Sequence, residues 1–148
     1  MRLKTPYAAR AQSCGFLLWK TANRLQRLHG RALAALDLTP SQCALLACLV
    51  GLAPSGAVTS ARIAQHTGMD KMLVSDLVKA LQRKRLLTRA ANPADARSRL
   101  LEPTARGVAL SRAALARIEA LEARFFQPAR NLKGLQRDLR ALCSTVPA

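Results

Sequence analysis

The spacing of apolar residues between positions 60 and 81 predicts two short helices in the middle of the chain. The apolar positions fall into two groups, each spaced as on one side of a helix: Ile63 and Ala64, then Val74, Leu77, Val78 and Leu81. Because an α-helix turns once in 3.6 residues, each group gives its helix one buried face. Gly68 stands where a residue of positive φ can end the first helix, and Asp70 stands where it can cap the second.

The same stretch has the residue choices of a helix-turn-helix motif. Small Ala64 lies where the two helices would cross, Gly68 follows four residues later, and Val74 is a buried position of the second helix. Burial of the apolar face turns a further set of side chains outward: Lys71, Met72, Ser75, Asp76 and Lys79. We predict that these five residues form a DNA-binding surface that reads base edges. The alternative is an ordinary helix face exposed to solvent.

Four further helices are predicted on either side of the motif, at about 9–36, 40–52, 105–127 and 132–143. Thr39 and Gln42 have the spacing of a capping box, and Pro40 fits the first turn of the helix that they begin. Positions 43–52 contain almost no polar residue, so we expect this helix to be buried on all sides. Residues 1–10 are basic and irregular, and we expect a partly ordered arm there.

A β-hairpin is predicted between the helix-turn-helix stretch and the long helix that Thr104 would cap. Segments 86–91 and 98–102 have strand composition, and Asn-Pro-Ala-Asp at 92–95 supplies the turn. Arg97 and Arg99 lie at or near the tip, where a wing can enter the minor groove of DNA. The predicted fold is therefore mainly α with a small β-hairpin wing.

The charge of the chain favours a polyanionic partner. Lys and Arg number 24 against 8 Asp and Glu, which gives a formal net charge of +16. Such an excess suits phosphate backbones or anionic membrane surfaces. Only five aromatic residues occur and they are scattered, so double-stranded DNA is a better candidate than single strands or RNA loops. No signal peptide or apolar run of membrane-spanning length is evident, and we expect a cytoplasmic protein without a membrane partner.

No catalytic, cofactor or metal site is indicated by the sequence. No nucleophile and base are paired by a known motif, the chain has two histidines, and no Gly-rich phosphate loop occurs. The four cysteines lack CxxC spacing and accompanying histidines, so we expect free thiols in a reducing compartment. His29 continues the apolar stripe of the first helix, where a core or interface histidine is the simpler interpretation.

Several stretches, taken together, resemble the multiple-antibiotic-resistance regulator (MarR) family of winged helix-turn-helix proteins over about residues 14–143. The stretches are LDLTPSQCALLACL at 36–49, SARIAQHTGMDKMLVSDLVKALQRKRLL at 60–87, NPADARSRL at 92–100 and TARGVAL at 104–110. The resemblance implies an obligate homodimer, joined through the first and last two helices, on a palindromic operator. It also implies that small phenolic or otherwise anionic ligands release the DNA.

The resemblance implies a division of labour along a single domain of residues 1–148. Segments 9–36 and 104–145 would form a helical dimerisation region, and segment 39–102 would form the winged DNA-binding lobe. Within the hairpin, Asp95 and Arg97 match the family's D-x-R motif, in which the aspartate orients an arginine. We expect a ligand pocket where the first, second and fifth helices meet, with Trp19 and His29 in its wall. A core without a pocket is the alternative.

Three residues depart from the family pattern. Arg62 stands where an acidic residue is usual, which removes a capping partner and places a cation near the positive end of a helix. Arg85 replaces a glycine, so either a non-glycine residue adopts positive φ or the helix ends differently. Asn92 begins the wing where the family often has Asp.

The sequence as a whole predicts a DNA-binding transcriptional regulator that acts as a repressor released by a ligand. One alternative is a redox-sensing regulator of the same fold, because Cys14 lies close to the reactive cysteine of peroxide-sensing members. A second alternative is a basic architectural protein that binds nucleic acid without reading its sequence. A third is a winged helix that contacts only proteins, although the positive charge argues against it.

Overall fold

The computed structural model describes residues 13–145, which form six α-helices, one antiparallel hairpin and two short 3₁₀ turns. In chain order the helices and strands are α1 (Cys14–Leu33), α2 (Pro40–Leu52), α3 (Ser60–Thr67), α4 (Lys71–Arg83), β1 (Leu87–Ala91), β2 (Arg99–Pro103), α5 (Ala105–Phe125) and α6 (Leu132–Thr145). The 3₁₀ turns extend α1 and α2. The prediction of a mainly helical fold with a small hairpin is confirmed.

Side-chain caps begin α2 and α5 at the predicted residues, Thr39 and Thr104. Thr39 Oγ1 accepts the main-chain N–H of Gln42, and Gln42 Oε1 accepts that of Thr39, which completes the capping box. Thr59 and Thr104 cap α3 and α5 through their hydroxyl oxygens. The first helix begins at Cys14, after Ser13 as its cap. Positions 9–12 of the predicted helix and the predicted arm at 1–10 lie outside the described residues.

Several predicted boundaries were wrong by one or two residues. The first strand begins one residue later than predicted, at Leu87, and ends at Ala91 as predicted, whereas β2 lies one position later at both ends. The fifth helix ends at Phe125, and the sixth continues to Thr145. The pattern of apolar residues predicts where a helix or strand lies better than it predicts the residue at which it ends. Terminal turns fray or tighten, so the last hydrogen bond varies.

The core forms where α2 packs against neighbours on several sides. Leu45, Leu46 and Leu49 of α2 are fully buried, and residues from every other element except α6 join them. Ala44 and Gly51, however, are exposed on α2. The expectation that this helix is buried on all sides was therefore wrong for one narrow strip, where small residues leave the backbone close to solvent.

The hairpin is anchored to the core at its base and free at its tip. Leu87 pairs with Pro103 and Ala91 with Arg99, and the side chains of Leu87 and Leu101 are buried. The N–H of Leu101 also donates to the carbonyl of Val58 at 2.8 Å. This bond ties the second strand to the residues just before α3, so the hairpin and the helix-turn-helix form one packed unit.

The turn after α4 is held by a close approach of α5. Arg85 adopts φ 58°, which decides between the two alternatives for this non-glycine position. Its carbonyl accepts the hydroxyl of Thr104 at 3.0 Å, and the carbonyl of Leu86 accepts the N–H of Thr104 at 3.1 Å. A Cβ on buried Gly107 would lie 2.0 Å from that Leu86 oxygen, so only glycine allows this approach.

No single helix within residues 13–145 is long and apolar enough to cross a bilayer. One helix pair, Cys14–Leu36 with Pro40–Ser55, meets the length and composition requirements only when taken together, and it is bent by 75°. The second member of that pair contains α2, which supplies four buried residues to the core.

Gly107→Ala should destabilise the fold because the new methyl group collides with the Leu86 carbonyl. We expect the free energy of unfolding to fall by about 1–3 kcal/mol, as for other overpacked sites. Chemical denaturation at fixed protein concentration measures the change. Gly51→Ala is the matched control, since nothing lies within 4 Å of a Cβ at that helical position. Equal stability of the two variants would contradict the close approach.

Candidate nucleic-acid interface

The second helix of the central motif presents one buried face and one fully exposed face. Val74, Leu77, Val78 and Leu81 of α4 are buried. The five residues predicted as base contacts are all exposed on the other side: Lys71, Met72, Ser75, Asp76 and Lys79. Met72 is 77% exposed, an unusual position for a large apolar side chain. Leu73 is 44% exposed and belongs to the same surface. It was not predicted there, because an apolar residue does not indicate exposure in the sequence.

Asp70 holds the first turn of α4 in place. Its Oδ1 accepts the N–H of Met72 at 2.8 Å and that of Leu73 at 3.2 Å. Because the exposed side chains of Lys71, Met72 and Ser75 follow within two turns, they project from the positive end of the helix dipole. This end of a recognition helix is the one that meets base edges in helix-turn-helix complexes.

Two of the exposed residues pair with each other. Lys79 Nζ lies 3.4 Å from Asp76 Oδ1, and both side chains are more than half exposed. An exposed pair of this kind stabilises the helix by well under 1 kcal/mol, so the ammonium is easily drawn to a phosphate. Asp76 is the only acidic residue of α4.

A tether at the other end of α4 was not apparent from the sequence. Lys84 Nζ lies 3.0 Å from Asp37 Oδ2 and 3.3 Å from Gln42 Oε1, and it also donates to the carbonyl of Asp37. Asp37 has φ 51° in the corner between α1 and α2. The C-terminal end of α4 is thus fastened to the start of α2, which limits how far the exposed face can turn.

The tip of the hairpin is shaped by short polar side chains. Asp95 Oδ1 accepts the main-chain N–H of Arg97 at 3.0 Å, and Asn92 Nδ2 donates to Ser98 Oγ at 2.7 Å. The Asp95 carboxylate therefore orders the backbone, whereas the expected donor was an arginine side chain. Arg97 and Arg99 are exposed, and neither forms an ion pair within residues 13–145. Both guanidinium groups are available to a polyanion.

Arg62, the first departure from the family pattern, fastens the loop that precedes α3. Its guanidinium donates to the carbonyl of Ala57 at 2.8 Å and to Ser55 Oγ at 2.8 Å. The N–H of Arg62 still donates to Thr59 Oγ1, so the cap of α3 is kept. The loss of an acidic partner at this position is offset by contacts that sequence reasoning missed.

The two residues expected in a pocket wall lie apart from each other. Trp19 is 63% exposed and stacks on Phe16 with ring centroids 5.9 Å apart. His29 is half-buried, with Nε2 3.0 Å from Glu122 Oε1. A groove of about 730 Å³ does run between α1 and α5, but neither Trp19 nor His29 lines it.

The cysteines differ in exposure. Cys14, the candidate redox residue, and Cys143 are exposed, and all four thiols are free. Burial raises the pKa of Cys43, and it raises the pKa of Cys48 despite the opposing effect of the nearby Arg62 charge. These two thiols are therefore poor nucleophiles. Within residues 13–145, no three His, Cys, Asp or Glu side chains are grouped so as to hold a metal ion.

Comparisons with known proteins agree with this geometry. A family model described as the MarR family matches residues 36–98. The uncharacterized HTH-type transcriptional regulator YdcH of Bacillus subtilis (strain 168) is 38% identical over 133 residues, which cover 86% of this chain and 90% of that protein.

Solved structures share the fold. CouR from Rhodococcus jostii RHA1 bound to p-coumaroyl-CoA aligns with a TM-score of 0.83 at 23% identity, over 96% of this chain and 99% of that one. A mutant MarR from E. coli complexed with operator DNA aligns with a TM-score of 0.75 at 21% identity, over 86% and 91% of the two chains.

Substitutions on α4 should separate base reading from phosphate binding. Met72→Ala or Ser75→Ala should lower the preference for the cognate duplex by about tenfold, because base contacts specify the site. Lys79→Ala should weaken binding to all duplexes and reduce the salt dependence by about one unit. Fluorescence anisotropy over a salt series measures both. Lys133→Ala on α6 is the control, and unchanged preference in both the Met72 and Ser75 variants would show that another surface reads the bases.

The wing makes a prediction whose sign opposes simple electrostatics. Asp95→Ala removes a negative charge near phosphates, yet it should weaken DNA binding by about fivefold because the backbone at Arg97 loses its hydrogen bond. Arg97→Ala should weaken binding by about tenfold, since it removes a cation from the minor groove. Titrations of one operator at fixed salt compare these variants with Asp138→Ala on α6. Tighter binding by Asp95→Ala would mean that the wing contributes only bulk charge.

Proposed function

The chain belongs to the MarR family of transcriptional regulators, and we propose that it is a repressor that binds a palindromic operator as a homodimer and leaves it when a small ligand binds. The observation that carries this proposal is the outer face of α4, which exposes Met72 and Ser75 beside two lysines. The same chain carries an ordered wing, and its Arg97 and Arg99 form no ion pair with any residue that the structure describes. Major-groove reading by a helix and minor-groove contact by a wing account for both features.

The homodimer is supported by apolar side chains that the single chain leaves exposed. They lie on α1, α5 and α6: Leu17, Leu18, Leu115, Leu132, Leu135 and Leu142. Large apolar side chains left exposed on several helices are typical of a protein interface. We therefore propose that segments 9–36 and 104–145 form the dimerisation region of a single domain spanning 1–148, with segment 39–102 as the DNA-binding lobe.

Two-fold symmetry sets the form of the operator. A symmetric dimer presents two copies of α4 related by the same axis, so the half-sites should be inverted repeats. For helix-turn-helix dimers the half-site centres lie about 34–36 Å apart, or one turn of B-DNA. The positive charge of the chain adds affinity for any duplex, and α4 would add preference among duplexes.

Ligand release is supported by the groove between α1 and α5 and by a relative of the same fold. CouR was solved bound to p-coumaroyl-CoA. A ligand bound between α1 and α5 can change the distance between the two α4 helices of the dimer. Only one such distance fits the operator. We place the protein in the cytoplasm, where its DNA would be.

A competition assay tests the proposed function. Operator fragments selected from the source genome compete with random duplex of equal length for the purified protein at physiological salt. A sequence reader should prefer the operator by about 10³-fold or more. Preference within a few-fold of unity would instead support a basic architectural protein.

The apolar stripe of α6 should be required for dimerisation. Leu135→Glu places a charge on this stripe and should convert the dimer to an unfolded or partly folded monomer, because the charge would be buried in the proposed interface. Sedimentation and circular dichroism together measure association and folding. Ser144→Glu, which adds the same charge on the opposite side of α6, is the control. A wild-type monomer that stays fully folded at nanomolar concentration would contradict the proposal.

A further inference from the structure

Met72 carries the most exposed of the large apolar side chains that the structure describes. It is the second residue of α4, and its neighbour Leu73 is also exposed. A single exposed apolar residue is ordinary on a protein surface. These two, however, lie together on the face of α4 that the proposed function turns toward DNA, where polar side chains would be the usual choice. Their position therefore calls for a partner that offers an apolar group.

Met72 begins a stripe of exposed residues that continues through Ser75, Asp76 and Lys79. Their spacings of three and four residues place them on one side of a helix with 3.6 residues per turn. At a rise of about 1.5 Å per residue, Lys79 lies about 10 Å farther along the axis than Met72. The major groove is about 12 Å wide, so Lys79 can reach a phosphate at its border while Met72 contacts the bases.

The polar groups around Met72 already have partners within α4. Asp70 Oδ1 accepts the main-chain N–H groups of Met72 and Leu73, at 2.8 and 3.2 Å. At the other end of the stripe, Lys79 Nζ lies 3.4 Å from Asp76 Oδ1. The surface that Met72 presents to a base is therefore its thioether side chain, without a free main-chain donor beside it.

Only one base presents an apolar group in the major groove. Thymine carries a C5-methyl group there, whereas the other bases are distinguished by their hydrogen-bond donors and acceptors. A methionine side chain donates no hydrogen bond and its sulfur accepts only weakly, so it cannot read those donor and acceptor patterns. Its flexible, polarisable thioether can instead pack against a methyl group.

The charges around Met72 favour DNA over a second protein as its partner. Lys71 and Lys79 are exposed on the same helix, and Lys71 forms no ion pair with any residue that the structure describes. A second copy of this surface would bring like charges together, whereas a phosphate backbone attracts them.

We propose that Met72 recognises the C5-methyl group of a thymine in each half-site of the operator. This inference rests on the proposed function, and it names the base that this part of α4 selects and the atom group by which it does so. Because the two α4 helices of a symmetric dimer are related by a two-fold axis, the two thymines occupy symmetry-related positions. The contact discriminates by the methyl group alone.

Base analogues that differ by one methyl group test the contact, with affinities of the full chain measured by fluorescence anisotropy. In the duplex of highest affinity selected from the source genome, each symmetric pair of thymines is replaced in turn by uracil, which lacks only the methyl group. At one pair of positions the wild type should lose about tenfold in affinity, since one buried methyl group accounts for roughly fourfold in each half-site. At the same positions, 5-methylcytosine should bind more tightly than cytosine by a similar factor.

Variants of α4 assign the methyl effect to its residue. Met72→Ala should bind the thymine and uracil duplexes equally, within about twofold, and the exposure of Met72 means that the substitution leaves the core intact. Met72→Leu keeps an apolar side chain and should retain most of the difference. Lys79→Ala is the control, because loss of a phosphate contact should weaken both duplexes alike and leave their ratio unchanged.

Three results would overturn the inference: no pair of thymines at which uracil weakens the wild type, a methyl effect that persists in Met72→Ala, or a Met72→Ala protein that sediments as a monomer. The last would make Met72 a protein contact. Each of these results is compatible with a strong preference for the operator, so the proposed function would stand. Equal affinity of the wild type for operator and random duplex would instead overturn the proposed function, and this inference with it.

Discussion

The contact between Gly107 and the carbonyl of Leu86 is the constraint on which the positions of the other elements depend. A Cβ at residue 107 would lie 2.0 Å from that oxygen, so the first turn of α5 can press against the end of α4 only because glycine is there. The same carbonyl accepts the N–H of Thr104, and Arg85 takes a left-handed conformation to present it. One junction therefore fixes the relative directions of α4, the hairpin and α5.

Lys84 makes a second connection at the same junction, toward the first two helices. Its ammonium joins the C-terminal end of α4 to Asp37 and Gln42, and Gln42 is also part of the capping box of α2. A displacement of α1 relative to α5 must be accommodated by this tether and by the Gly107 contact.

Helix caps and the exposed face of α4 could be predicted from the sequence, whereas contacts between residues far apart in the chain could not. The capping pairs at Thr39, Asp70 and Thr104 follow from spacings of two or three residues, and the exposed face of α4 follows from helical periodicity. The Lys84 tether joins residues 47 positions apart, and the groove between α1 and α5 combines residues of the first and fifth helices. No short-range pattern encodes such pairs, and the role of Arg62 was likewise missed because its partners belong to a folded loop.

We propose that α4 lies in the major groove while the wing lies in the minor groove. Interference by dimethyl sulfate tests this most directly, because the reagent methylates guanine N7 in the major groove and adenine N3 in the minor groove. We expect N7 methylation to block binding in two half-sites whose centres are one helical turn apart, and N3 methylation to block binding on their flanks. Interference at N3 alone, or none in either groove, would contradict it.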